Sequence, residues 1–145
     1  MKNYMKLEIS AISENEAFAR SAVAAFALSL NPSISELSDV KTAVSEAVTN
    51  CIVHAYEKAG ADKLVTIECC TERAETGGKL HIAITDEGKG IEDVQRAVEP
   101  FFTTLDSDER SGMGFTIMQT FMTEFSLESE KGKGTTVRMT KVIGA

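Results

Sequence analysis

Apolar positions along the chain fall into runs of two distinct periods. Leu7, Ile9 and Ala11 alternate with Glu8, Ser10 and Ile12, an imperfect period of two that predicts a first strand. Ser13 and Glu16 have capping-box spacing, and the Ala-rich run from Glu14 to Leu30 predicts a helix that Asn31-Pro32 stops. Ser33 and Glu36 repeat that spacing. Behind them Leu37, Val40, Val44, Ala47, Val48, Cys51 and Ala55 form one stripe at helical period, predicting a second helix to about Glu57. After a turn at Gly60, Leu64 to Thr71 and Leu80 to Thr85 read as strands joined by the polar stretch Glu72 to Gly78. Ile91 to Val98 reads as a short helix ended near Pro100, and Phe101 to Gly114 as a loop without period. Phe115 to Thr123 reads as helix, and Phe125 to Glu130 and Thr135 to Val142 as strands around a Gly132-Lys133-Gly134 turn. This order predicts one layer of helices on one face of a mixed, mostly antiparallel sheet, a two-layer α/β sandwich in a single domain spanning 1–145.

Composition narrows the function classes. A chain of 145 residues, 43% hydrophobic and 26% charged, suits one globular domain. The formal charge of -7 argues against direct nucleic-acid binding and suits basic protein partners. Cys51, Cys69 and Cys70 are odd in number and two are adjacent, so reduced thiols in the cytoplasm are expected, with neither export nor membrane insertion.

Four short patterns carry candidate chemistry. Glu46, Asn50 and His54 are spaced by four along one helical face, where a carboxylate and an amide suit a divalent cation and proton acceptance; an ordinary exposed face is the alternative. Asp86-Glu87-Gly88-Lys89-Gly90 follows a strand end. There a carboxylate can accept from an exocyclic amine and glycines admit a flat ring, although Asp-Gly is also an ordinary turn. Ser111-Gly112-Met113-Gly114 precedes a helix whose first amides favour phosphate. No Walker lysine follows it. Gly134-Thr135-Thr136 either presents a hydroxyl to a ligand or closes a hairpin.

In this order and at these intervals, the set resembles the GHKL ATPase superfamily with its Bergerat ATP-binding fold. Ser45-Glu46-Ala47-Val48-Thr49-Asn50, His54-Ala55-Tyr56, Phe101-Phe102-Thr103-Thr104 and Glu109 to Met118 further resemble the anti-sigma serine kinases of sporulating bacilli. The resemblance spans nearly the whole chain. It implies ATP and Mg as cofactors, with Asn50 as the metal ligand and Asp86 reading the adenine amine. Gly88 and Gly90 would shape the adenine pocket, with Thr135 beside Asp86. Ser111, Gly112, Met113 and Gly114 would meet the phosphates within a lid at about 99–114. Glu46 would be the general base. Arg110 is a candidate for the γ-phosphate or a partner, and Arg20 for the partner surface; a solvated arginine is the alternative at each. Phe115 replaces the leucine commonly found at its position. His54 is expected to pack and hydrogen-bond, and His81 has no assigned role. The implied partners are a sporulation sigma factor of the sigma F type, an anti-anti-sigma protein phosphorylated on serine, and a second copy in a homodimer. The rival readings are a histidine-kinase catalytic domain and a non-catalytic ATP-gated binding module.

Overall fold

A computed structural model describes residues 2–56, 60–99 and 113–144. Its elements run β1 (Lys2–Ala11), α1 (Glu14–Ala27), α2 (Ile34–Asn50), β2 (Gly60–Arg73), β3 (Gly78–Asp86), α3 (Val94–Ala97), α4 (Gly114–Phe121), β4 (Glu124–Glu130) and β5 (Gly134–Ile143). The strands form one sheet in the order β1-β2-β3-β5-β4. All four pairings are antiparallel, so the expected mixture resolves to a purely antiparallel sheet.

The period-two pattern explains how the sheet is covered. Ile9 and Ala11 on β1, Val65, Ile67 and Cys69 on β2, and Leu80, Ile82 and Ile84 on β3 are all buried. The helices supply the other half of this core, with Ala19, Val23 and Ala27 from α1 and Val40, Val44, Ala47 and Val48 from α2. Helix α2 is central, packed on α1 and α4. Alternate residues turn to the opposite face, where register aligns Tyr4, Cys70, His81 and Thr140 across four strands. That face is polar. His81 bonds Thr140 and Glu72, both at 2.9 Å, and Tyr4 donates to Glu68 at 2.7 Å. His81 thus serves the bare sheet face, away from the helices.

Local signals succeed and fail for identifiable reasons. Ser33 forms its capping box: its hydroxyl accepts from the Glu36 amide while Glu36 accepts from the Ser33 amide. The matching box at Ser13 does not form. Ser13 is helical in backbone and makes no side-chain cap bond. Glu16 is engaged elsewhere, accepting from the Ser45 hydroxyl across the α1–α2 interface and pairing with Arg20 at 3.7 Å. The second α-helix ends at Asn50, and Cys51–Ala55 continue as a π turn instead of reaching Glu57 in α-helical register. Gly60 opens β2 in place of the expected turn. The helix expected over 91–98 shrinks to one turn capped by Asp93. All three cysteines are free, Cys69 in the core with its thiol pushed up to about 12 by burial, Cys70 on the open face. Among the described residues no helix is long and apolar enough to cross a membrane.

Candidate functional site

A cavity of about 470 Å³ opens between the end of α2, the end of β3 and the start of α4, a size suited to a nucleotide-sized ligand. Ala47, Ile84, Phe115 and Val137 give it apolar walls. Asn50, His54, Asp86, Gly114 and Thr135 converge on it from α2, the π turn that follows it, β3, α4 and β5. Phe115, the residue that departs from the usual leucine, lines this wall and stacks at a tilt on Phe125 with ring centres 6.0 Å apart.

Asp86 forms the buried polar floor, with 5% of its surface exposed. Burial raises its pKa, and bonds from the Gly88 amide, the Cys51 thiol and the Thr135 amide hold the rise down. The Gly88 contact is 2.9 Å to Oδ1. An ionised carboxylate accepts about four hydrogen bonds. Beyond the Gly88 bond it keeps capacity for a donor from a ligand. Cys51, buried beside it, has its thiol pKa pushed well up, by burial first and then by the Asp86 charge.

The glycines around Asp86 make room for the protein's own backbone. A Cβ on Gly88 would fall 2.2 Å from the Ala55 carbonyl oxygen. A Cβ on Gly90, at φ +74, would fall 2.0 Å from the Glu130 carbonyl oxygen, and one on Gly134, at φ +92, 2.1 Å from the Asp86 carbonyl oxygen. Gly90 also lines the cavity, whereas Gly88 sits behind its wall against α2. These close approaches are stitched by hydrogen bonds. The Lys89 amide donates to the Ala55 carbonyl at 2.8 Å, and the Gly132 amide to the Lys89 carbonyl at 2.6 Å. Ser129, which sequence patterns did not single out, takes the Ile91 amide at 2.7 Å and donates to the Gly134 carbonyl at 2.9 Å. Thr135 completes this cluster through its hydroxyl, 2.7 Å from that of Ser129.

At the other end of the cavity, Asn50 in its wall and Glu46, which lines the neighbouring cleft, approach the N-terminus of α4. The Cβ of an alanine at 114 would sit 3.3 Å from Glu46 Oε2 and from both terminal atoms of the Asn50 amide. Glycine at 114 lets these two polar groups approach the helix backbone, and Met113, at the cap, makes no side-chain cap bond. Helix N-termini attract anions through their first amides. An amide oxygen and a carboxylate at that point fit a hard divalent cation with its phosphate partners. His54 is half-buried in the π turn and lines the cavity. Arg20 lies outside it, beside a second cleft of about 390 Å³ that includes Lys41, Ser45 and Glu46. Arg110, Ser111 and Gly112, with most of the expected lid, lie outside the described residues.

The chain is similar to known proteins in sequence and in fold. The family model described as "Histidine kinase-like ATPase domain" matches residues 9–141. The chain is 56% identical over 144 residues to the anti-sigma F factor of Thermoanaerobacter sp. (strain X514), covering 99% of this chain and 96% of the relative. It is 50% identical over 143 residues to the anti-sigma F factor of Geobacillus kaustophilus (strain HTA426), covering 99% and 94%. Among solved structures it is similar to the RsbU and RsbW domains of a Mycobacterium tuberculosis protein, with TM-score 0.68 and 15% identity over 99% of this chain and 33% of that one. The catalytic domain of histidine kinase ThkA gives TM-score 0.54 at 14% identity, covering 96% and 98%. The structural likenesses concern the fold, and the close relatives concern the family: this chain belongs to the anti-sigma F factor family, built on a histidine kinase-like ATPase domain.

Proposed function

We propose that this protein binds ATP with Mg, phosphorylates a serine on an anti-anti-sigma protein, and holds a sporulation sigma factor of the sigma F type in a nucleotide-dependent manner. The observation that carries this reading is the approach of Asn50, in the wall at one end of a cavity whose other end is floored by Asp86, and of Glu46, from the adjoining cleft, to the N-terminus of α4. Asp86 accepts the adenine amine through a carboxylate lone pair, and Thr135 stands beside it. Met113 and Gly114, with Ser111 and Gly112, offer amides to the phosphates. Asn50 holds the cation, which when bound neutralises charge developing on the phosphate oxygens. Glu46 takes the proton of the incoming serine hydroxyl. As the serine Oγ–phosphorus bond forms, the bond from the γ-phosphorus to the bridging oxygen breaks, and ADP carries away the electron pair. Arg110 steadies the γ-phosphate or the partner.

Arg20, half-buried and paired with Glu16 beside the α1–α2 interface, is proposed to meet the protein partners, and a homodimer is the expected assembly. Free thiols support a cytoplasmic setting. Phosphorylation adds charge to the antagonist and lowers its return to the kinase.

The test is transfer of label from ATP and Mg to a candidate anti-anti-sigma protein, with Glu46→Gln as control. Acid-stable, alkali-labile label that disappears in the variant while ATP still binds supports the serine kinase. Acid-labile label points to histidine transfer, and absence of label despite ATP binding points to a nucleotide-gated binding module.

A further inference from the structure

Six residues beyond Asn50, Tyr56 occupies a position that none of the four motifs explains. It is 9% exposed, and its hydroxyl makes two hydrogen bonds to different parts of the chain. It donates to the Leu64 carbonyl on β2 at 2.6 Å and accepts from the Glu87 amide at 2.9 Å. A phenol has one proton. That proton goes to Leu64, which leaves an oxygen lone pair for Glu87, so both bonds form at once. Glu87 is the residue directly after Asp86, and its amide sets the direction in which the chain leaves the cavity floor. The preceding residue, Ala55, accepts from the Lys89 amide. The end of α2 therefore grips the loop after β3 at two points, through a backbone carbonyl and a side-chain hydroxyl.

We infer that Tyr56 is a positioning residue for base selection, its hydroxyl holding the Glu87 amide so that the Asp86 carboxylate stays aimed at the amine of an adenine nucleotide. This inference rests on the reading that Asp86 receives that amine. Its physical basis is that one short stretch of chain, from the end of α2 through the π turn to Tyr56, serves both ends of the site. Asn50 ends α2, the π turn Cys51–Ala55 follows, and Tyr56 fastens to the Asp86 loop. Without the hydroxyl, Glu87 loses its acceptor and Leu64 its donor, while the aromatic ring still fills its place. The loop then relaxes, and the group affected most is the one whose direction it sets.

The experiment compares binding of ATP and of purine riboside triphosphate, which lacks the 6-amino group, to the full chain and its variants. The intact protein should prefer ATP. In Tyr56→Phe, ATP binding should weaken about tenfold while the analogue changes little, narrowing the preference by a similar factor. A general loosening of the fold would weaken both nucleotides equally, and that result would overturn the inference. Glu87→Pro, which deletes the amide donor and leaves the phenol, is measured beside it. It should narrow the preference in the same way, and serves if Tyr56→Phe does not fold. Asp86→Asn separates the two ideas. If it leaves the preference intact, the assignment of Asp86 is wrong; if it abolishes the preference and both folded variants retain it, only the role of Tyr56 is wrong.

Discussion

Gly88 lies so close to Ala55 that the Cβ of an alanine there would fall 2.2 Å from the Ala55 carbonyl oxygen and 2.8 Å from its Cβ. The end of α2 and the loop after β3 interlock at this contact, beside the bond from the Lys89 amide to the same carbonyl. Gly88→Ala is expected to push them apart, costing about 2 kcal/mol of stability and weakening ATP binding. Urea unfolding and nucleotide titration check this together. An unchanged midpoint would mean that the loop yields without cost.

Asp86 is expected to lower the stability of the nucleotide-free protein at neutral pH. Burial raises its folded pKa above 3.8, so between that value and the raised one the folded state holds more protons than the unfolded state. Its contribution to stability therefore falls as pH rises through this window and is restored in acid. Asp86→Asn keeps an acceptor for the Gly88 amide and removes the buried charge. It should melt higher than the parent at pH 7, with the advantage gone once Asp86 is protonated, and should bind ATP more weakly, with its preference over the analogue lost. Thermal melts across pH, without nucleotide and with either one, read these effects.

Gly114→Ala probes the other end of the cavity. Alanine favours helix over glycine by about 1 kcal/mol, but its Cβ would press at 3.3 Å on Glu46 and on the Asn50 amide. The melting temperature should hold or rise while phosphotransfer falls about tenfold through misplaced groups. A variant with full phosphotransfer would show that these side chains have room to move.

Glu36 should contribute to the acid sensitivity of the fold. Bonds from the Ser33 amide and then the Gly144 amide lower its pKa below 4.5. A carboxylate with a depressed folded pKa stabilises above its unfolded value, and the contribution is lost as pH falls through the folded value. Glu36→Gln should flatten this part of the acid unfolding curve. Ser33→Ala should cost about 1 kcal/mol at neutral pH through loss of the cap.

What could be read beforehand was largely what local chemistry decides. The alternation at Leu80, Ile82 and Ile84 and the stripe on α2 reported which faces are buried, because periodicity follows directly from backbone geometry. The Ser33 box formed because Glu36 has no competing partner stronger than its own helix start and Gly144. Ser13 and Glu16 carry the same spacing, yet Glu16 turns to Ser45 on α2, a tertiary contact that local spacing does not report. Gly88 and Gly90 were legible as places of close approach, though for a ligand ring and not for the protein's own backbone, and Gly134 only as a strand start or hairpin residue. Their neighbours, Ala55, Glu130 and Asp86, come from distant sequence. The π turn was hidden for another reason: its apolar residues continue a helical stripe, and one extra residue per turn leaves little trace in composition. Ser129 gave no signal, and Tyr56 stood out only as part of the His54-Ala55-Tyr56 string without a role, because a single hydroxyl becomes informative only once the segments it bonds are in place.

The strand order carries a consequence for how the protein comes into being. β3 and β5 are neighbours in the sheet, yet α3, α4 and β4 all lie between them in the chain. A growing polypeptide thus exposes Glu46, Asn50 and Asp86 before it contains Thr135, the residue that pairs with Asp86 across the cavity floor. Pairings between such distant segments are slow to form. Until β5 has been synthesised the nascent chain has no finished pocket, so nucleotide cannot act as a folding ligand for it. Afterwards the same nucleotide favours the folded state by mass action, and cellular ATP becomes a selector for chains whose sheet has closed.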